Sequence, residues 1–182
     1  MRHLTALKVL LRFSFKPFPN EETRMPVKTL TLIATTGALT IASAAYAGGH
    51  LTEDQQRAVD ARQSHMGLYG FNLGPIGAMV QDKAPYDAEV AAVAAANLAA
   101  LANMSHDTYW VEGTDSSGEG TRAKAEIWTD MDGFRAEDMK LAAATTTLAA
   151  VAGDGLDAMR AAFGPVGQAC GSCHEAYRAP RS

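Results

Sequence analysis

The 182-residue chain has only two cysteines, too few for a disulfide-rich scaffold or a four-thiolate zinc site. It also lacks a basic excess: 16 Lys and Arg against 20 Asp and Glu give a net charge of −4. Nucleic-acid binders normally carry a basic patch, so we expect no nucleic-acid partner. Intrinsic disorder is equally unexpected, because 47% hydrophobic residues can build a core.

The beginning of the chain differs in composition from the remainder. Lys28 precedes a short apolar stretch over residues 30–42, which threonines and a glycine interrupt, and small residues then lead to Ala47. A membrane span needs about 20 apolar residues. A basic start, a short apolar segment and an Ala-x-Ala end instead predict a secretory signal peptide over residues 25–47. We therefore expect a periplasmic protein with no membrane span after cleavage.

Residues 1–24 add nothing that a signal peptide requires. Met25 alone begins a signal of ordinary length, so both Met1 and Met25 remain candidate start positions. We interpret residues 1–24 as an N-terminal extension without a domain of its own. The mature domain is then residues 48–182.

The mature domain is predicted to be all-α. Alanine occupies 28 of its 135 positions and no valine- or threonine-rich alternating run is present. Alanine is the strongest helix former, and the apolar positions recur with a helical period. Four helices joined mostly by short turns predict an antiparallel four-helix bundle. The predicted helices run from residue 52 to 80, from 88 onward, from about 130 to 152, and from 156 to the C-terminus.

Helix boundaries are marked by recognisable capping and breaking residues. Thr52 with Gln55 three residues later forms a capping box, and Asp87 is the predicted N-cap of the second helix. Residues 72–75 contain a glycine and a proline, which predict a bend or break in the first helix. Pro165 predicts a kink in the fourth.

The strongest chemical signal is Cys170-Gly171-Ser172-Cys173-His174. Cys-x-x-Cys-His is the attachment motif of c-type haem. Positions i, i+3 and i+4 share one helix face, so both sulfurs and the imidazole project to the same side. The two thiols can then form thioethers with one haem while His174 binds its iron.

The two cysteines have three other possible roles. A thioredoxin-like redox pair is expected near a βαβ pattern, which this sequence lacks. A disulfide across two intervening residues would remove little chain entropy. A zinc site would need another ligand from His50, His65 or His106.

A haem motif near the C-terminus of a four-helix chain, followed by Ala176-Tyr177-Arg178, resembles class II cytochrome c, the cytochrome c′ family. The resemblance covers essentially all of residues 51–180. Further supporting segments are residues 61–66, 84–87, 126–128 and 156–164. The resemblance implies a four-helix bundle with one covalent haem c.

The resemblance also implies roles for individual residues. Arg62 and Gln63 are expected near the haem propionates, and Arg178 matches the basic residue beside the axial His174. Met66, four residues after the arginine, is expected to face the distal side of the haem.

Met66 has two interpretations that lead to different functions. As a thioether sixth ligand it would make the protein a periplasmic electron carrier that serves redox partner proteins, and this is the hypothesis that the sequence favours. As a packing residue it would leave a five-coordinate haem that binds NO or CO at an apolar face. No enzymatic activity is expected, because catalysis would need a distal base. We expect His65 to point to solvent and His106 to lie exposed in a loop.

A homodimer is also expected, because family members commonly pair through their first two helices. The small residues of the second helix would permit close approach. They are Ala91, Ala92, Ala95 and Ala99.

Overall fold

The computed structural model describes residues 50–181. The predicted signal peptide and N-terminal extension lie outside these residues. The elements are α1 (Glu53–Val80), α2 (Ala88–Ala102), a 3₁₀ turn (Asp107–Tyr109), α3 (Glu126–Thr129), α4 (Met131–Val151) and α5 (Leu156–Tyr177). The four long helices confirm the predicted all-α bundle, and the single turn α3 was not predicted.

The predicted caps are present where the local sequence can supply them. Thr52 and Gln55 form the reciprocal capping box at the start of α1. The Asp87 carboxylate accepts two backbone N–H bonds of 3.0 Å at the start of α2. Asp130 caps α4 by accepting from the N–H of Gly133 at 3.2 Å. Each carboxylate or hydroxyl satisfies N–H groups that the first helical turn leaves unpaired.

Helix α1 runs unbroken from residue 53 to 80, close to the predicted 52–80, so the predicted break at residues 72–75 is wrong and a bend there stays a prediction. Pro75 removes one backbone hydrogen bond, but the flanking turns are held by packing. Ile76 is completely buried in the core, and the Asn72 side chain accepts a 2.9 Å bond from Asn97 of α2. Helix α5 likewise continues without interruption through Pro165.

Each long helix contributes at least one large, fully buried side chain to the main core. These side chains are Ile76, Leu98, Leu148 and Met159. Ala91 and Ala95 are also completely buried in this core. The alanine face of α2 predicted for dimer contact is therefore partly wrong, since two of its members already pack inside the chain.

A second, smaller core closes one end of the bundle. Ile127, Phe134 and Tyr177 form its buried centre, and Trp110 packs edge-on against Phe134 with ring centroids 4.6 Å apart. The Tyr177 hydroxyl donates to Asp130 at 2.7 Å, which ties the end of α5 to the start of α4. This end of the bundle holds the candidate site. Within residues 50–181, no helix has the length and apolar character that crossing a membrane requires.

Candidate functional site

A cavity of about 550 Å³ lies between α1, the segment after α2, α4 and α5. Pockets for cofactors usually have between about 300 and 1,000 Å³. Its apolar wall includes Leu73, Ile127, Phe134 and Leu141. Every site residue predicted from the sequence lines this one cavity. These residues are Arg62, Gln63, Met66, Cys170, Cys173, His174 and Arg178.

Cys170, Cys173 and His174 lie on consecutive turns of α5, as their spacing requires. Both cysteines are free thiols and are half-buried. Burial raises the pKa of both thiols, and burial together with the carboxylates of α4 raises that of Cys173 to about 11. Burial, followed by the charges of Arg178 and Arg122, lowers the pKa of His174. His174 therefore presents a neutral imidazole, which is the form that binds iron.

The alternatives for the cysteine pair find little support in the part of the chain that the structure describes. The thiols are not joined in a disulfide. Residues 50–181 contain no βαβ unit and no group of three or more His, Cys, Asp or Glu side chains arranged to hold a metal ion.

Arg62 is buried on the cavity wall and fastens the loop after α2 to α1. Its guanidinium donates to the hydroxyls of Thr114 and Thr121, each at 2.7 Å, and to the carbonyl oxygens of Thr114 and Tyr109. It also lies over the Trp110 ring, 5.2 Å from the centroid. Burial lowers its pKa. The hydrogen-bond partners of Arg62 are thus all neutral groups of the loop. A contact between Arg62 and the haem propionates stays a prediction.

Gln63 and Arg178 lie at the mouth of the cavity. Gln63 Nε2 donates to the carbonyl of Gly120 at 2.5 Å, so it also holds the loop. Arg178 pairs with Ala123 in an isolated antiparallel bridge and lies with Arg122 near His174. The predicted position of Arg178 beside the imidazole agrees with this arrangement.

Met66 lines the cavity but is not enclosed by it, since 47% of its surface is exposed. The neighbouring Gly70 leaves open space beside it. The placement is compatible with either predicted role, so whether Met66 binds iron remains a prediction.

The prediction that His65 points to solvent is wrong. His65 is only 5% exposed and lines the cavity. The segment after α2 folds back over α1, which brings the ring centroids of His106 and Tyr109 to 5.2 and 6.0 Å from that of His65. The ring centroid of Tyr69, one turn along α1, lies 4.9 Å from that of His65.

The prediction that His106 is simply exposed is also wrong. Its Nδ1 lies 2.8 Å from the carbonyl of Met104 and its Nε2 lies 3.4 Å from Asp138. A carbonyl oxygen and an ionised carboxylate both accept hydrogen bonds, so this geometry favours the doubly protonated, cationic form of the imidazole. The hydrogen bond to Asp138 raises the pKa of His106 despite its burial. Burial, and then the charge of His106, lowers the pKa of His65.

Three buried side-chain polar atoms in the described part of the chain have no hydrogen-bond partner. They are Nε2 of His65, the hydroxyl of Tyr69 and Nε1 of Trp110, and all three residues line the cavity. Buried polar groups are normally satisfied, so these atoms indicate that a group with its own polar atoms belongs there. A haem attached to Cys170 and Cys173 fits this cavity in size, donor set and polarity.

Helix spacing could have identified His65 and Tyr69 as cavity residues. They continue the stripe of Arg62 at intervals of three and four residues, and the same stripe contains the buried Ala58 and Asn72. Asp138 and Trp110 carry no comparable local signal.

The fold and the haem motif together define a c-type cytochrome built on a four-helix bundle. A family model described as Cytochrome C′ matches residues 57–178. Cytochrome c′ of Cereibacter sphaeroides is 36% identical over 139 residues, covering 76% of this chain and 93% of the relative.

Two solved structures resemble the chain closely enough to inform its function. A structure described as a cytochrome c′ with ligand-controlled dimer dissociation has a TM-score of 0.65 and 34% identity, covering 72% of this chain and 99% of the other. A nitric oxide complex of a variant of cytochrome c prime from Alcaligenes xylosoxidans has a TM-score of 0.63 and 33% identity, covering 72% and 100%. The chain belongs to the cytochrome c′ family, and it is a cytochrome that carries one covalent haem c.

Proposed function

We propose that this cytochrome binds NO or CO at an open haem face in the periplasm, with Met66 packing beside that face. The similarity to solved cytochrome c′ structures, one of them a nitric oxide complex, is the observation that carries this choice. Met66 has an unbranched, flexible side chain that can pack beside the haem face without binding the iron.

Different residues of the chain hold different parts of the haem. Cys170 and Cys173 supply the two thioethers, and the neutral His174 supplies the proximal nitrogen. Arg62 and Trp110, whose ring N–H has no partner, line the cavity and are the proposed contacts of the haem carboxylates. When bound, the haem supplies the iron that takes the gas.

The apolar wall suits small neutral ligands. Leu73, Phe134 and Leu141 contribute apolar surface to the cavity, which favours NO and CO over ions. The related NO complex supports the same ligand class. The proposed role is binding rather than catalysis.

Optical spectra of the purified haem-loaded protein test this proposal. We expect a high-spin ferrous spectrum that changes at once with CO, and CO affinity that changes less than about threefold in Met66→Leu, a substitution that keeps volume but removes sulfur. Met139→Leu, on the exposed face of α4, is the matched control. A low-spin spectrum that becomes high-spin in Met66→Leu but not in Met139→Leu would contradict the proposal.

The second candidate is an electron carrier with Met66 as sixth ligand. The observation in its favour is that Met66 does line the cavity. Arg122, Arg178 and Arg181 gather around a hollow of about 480 Å³ beside His174, and this basic region on an acidic chain would suit an acidic redox partner. The low-spin outcome of the same spectra would support this candidate.

We also propose that the protein forms a homodimer through α1 and α2. Leu68, Phe71, Val90 and Val93 are exposed apolar side chains of these two helices, and Phe71 is 77% exposed. A second copy would cover this patch. Light scattering should report a dimer for the wild type and a monomer for Phe71→Asp, whereas Met139→Asp should remain dimeric. A monomeric wild type would refute the dimer.

A further inference from the structure

Ser172, which lies between the two cysteines of the haem motif, is hydrogen-bonded to a carboxylate of the neighbouring helix. Its hydroxyl lies 2.6 Å from Glu137 Oε2 of α4 and 3.2 Å from the carbonyl of Ala169. A hydroxyl has one hydrogen, and the shorter contact to an ionised acceptor is the stronger bond. Glu137 also lines the haem cavity, together with Cys170 and Cys173. Helix α4 therefore holds a carboxylate against the segment that carries the haem.

The cation that pairs with Glu137 lies in solvent. Lys140 Nζ donates to Glu137 Oε1 at 2.6 Å, but the Lys140 side chain is 62% exposed and that of Glu137 only 16%. The hydrogen bonds from Lys140 and Ser172 lower the pKa of Glu137, so the carboxylate is ionised at neutral pH. Water screens the exposed ammonium more than the enclosed carboxylate. The pair therefore presents a net negative charge to the cavity.

Asp138, the other carboxylate that lines the cavity, is balanced differently. It lies 3.4 Å from His106 Nε2, and the side chains of both residues are mostly buried. Of these two carboxylates, only Glu137 has a partner that is mainly exposed. Three cations also line the cavity and act in the opposite sense, so the contribution of Glu137 must be measured by single substitutions. These cations are Arg62, Arg122 and Arg178.

We propose that Glu137, held in place by Ser172, stabilises ferric over ferrous haem and so lowers the reduction potential of this cytochrome. Ferric iron carries one more positive charge than ferrous iron, so a fixed negative charge beside the haem favours the ferric state. The bond to Ser172 keeps the carboxylate against the haem-bearing turn and prevents it from following Lys140 into solvent. Glu137 thus acts as a positioning charge. The inference needs the covalent haem but neither of the two roles of Met66.

Spectroelectrochemical titration of the haem-loaded protein gives the ratio of ferric to ferrous haem at a fixed applied potential. Glu137→Gln keeps an oxygen that can accept from Ser172 but removes the charge, so we expect that ratio to fall about fivefold. Ser172→Ala keeps the charge but releases it from the motif, so the ratio should fall by a smaller factor of about two. Lys140→Gln removes the cation without altering the cavity wall, so the ratio should rise.

The matched control is Glu53→Gln at the start of α1. Glu53 also pairs with an exposed cation, Arg57 at 3.7 Å, but its own side chain is 94% exposed, so the ratio should not change. The fall in Glu137→Gln should persist in about 1 M salt, where exposed charges are screened beyond about 3 Å. A ratio in Glu137→Gln within about 1.5-fold of the wild-type value would overturn the inference. A fall in Lys140→Gln as large as that in Glu137→Gln would also overturn it, because removing opposite charges must shift the ratio in opposite directions.

Discussion

Replacing Arg62 by Met tests how strongly one buried cation organises the haem cavity. The substitution keeps an unbranched side chain over Trp110 but removes four hydrogen bonds to the loop after α2. The hydroxyl of Thr114 keeps its bond to the carbonyl of Val111 at 2.7 Å. The carbonyl of Thr114 retains only the weaker 3.3 Å bond from the hydroxyl of Thr121.

The expected loss of unfolding free energy for Arg62→Met is about 3 kcal/mol. Hydrogen bonds from a charged donor contribute about 1.5–3 kcal/mol each, and a buried acceptor left unpaired costs about 1–3 kcal/mol. The net loss of unfolding free energy is well below the sum of these hydrogen-bond contributions. Burying the arginine charge costs desolvation free energy, and methionine does not incur that cost.

Urea unfolding of the haem-loaded protein measures this loss, and limited proteolysis of residues 105–123 reports the loop directly. Arg57→Met on the same helix is the matched control, because the Arg57 side chain is 68% exposed and forms only surface ion pairs. That control should change stability by less than about 1 kcal/mol. Equal stabilities and equal cleavage rates for the two variants would refute the reasoning.

Two further predictions follow from local geometry. A Cβ at Gly133 would collide with the Asp130 carboxylate that caps α4, so Gly133→Ala should lower the thermal midpoint. A Cβ at Gly164 meets open space inside α5, so Gly164→Ala should raise the thermal midpoint. Calorimetry that ranks the two variants the other way would contradict this prediction. The bond to Asp138 raises the pKa of His106 above its ordinary value of 6.5, so the stabilisation it provides is complete below that value and is lost as pH rises through the raised pKa. Asp138→Asn should therefore destabilise the protein most at acidic pH, and a destabilisation that does not shrink as pH rises would count against the pairing.

Local signals predicted the helices well, and they placed the proposed haem attachment residues on one face of α5. The capping box at Thr52 and the spacing of Cys170, Cys173 and His174 depend on a few neighbouring residues, and short-range geometry decides both. The absence of a break at Pro75 could not be predicted from residues 72–75 alone. There, long-range packing of Ile76 outweighs the local preference.

The polar half of the cavity depends on contacts that are distant in the sequence. His65 becomes buried because His106, 41 positions later, folds over it, and Asp138 of α4 then orients His106. A loop's path over a helix carries no periodic signature, so His106 could not be placed from the sequence. The stripe of α1 that contains Arg62 and Tyr69 would have been sufficient to predict burial of His65 itself.

The intact mass of the protein after denaturation and solvent extraction tests the central claim, covalent haem at Cys170 and Cys173, most directly. Material from a host that matures c-type cytochromes should retain the mass of one haem, and so should Ser172→Ala, which alters the motif between the two cysteines. The double variant Cys170→Ala, Cys173→Ala should lose that mass entirely. A wild-type chain without the added mass, or a double variant that keeps it, would contradict the account.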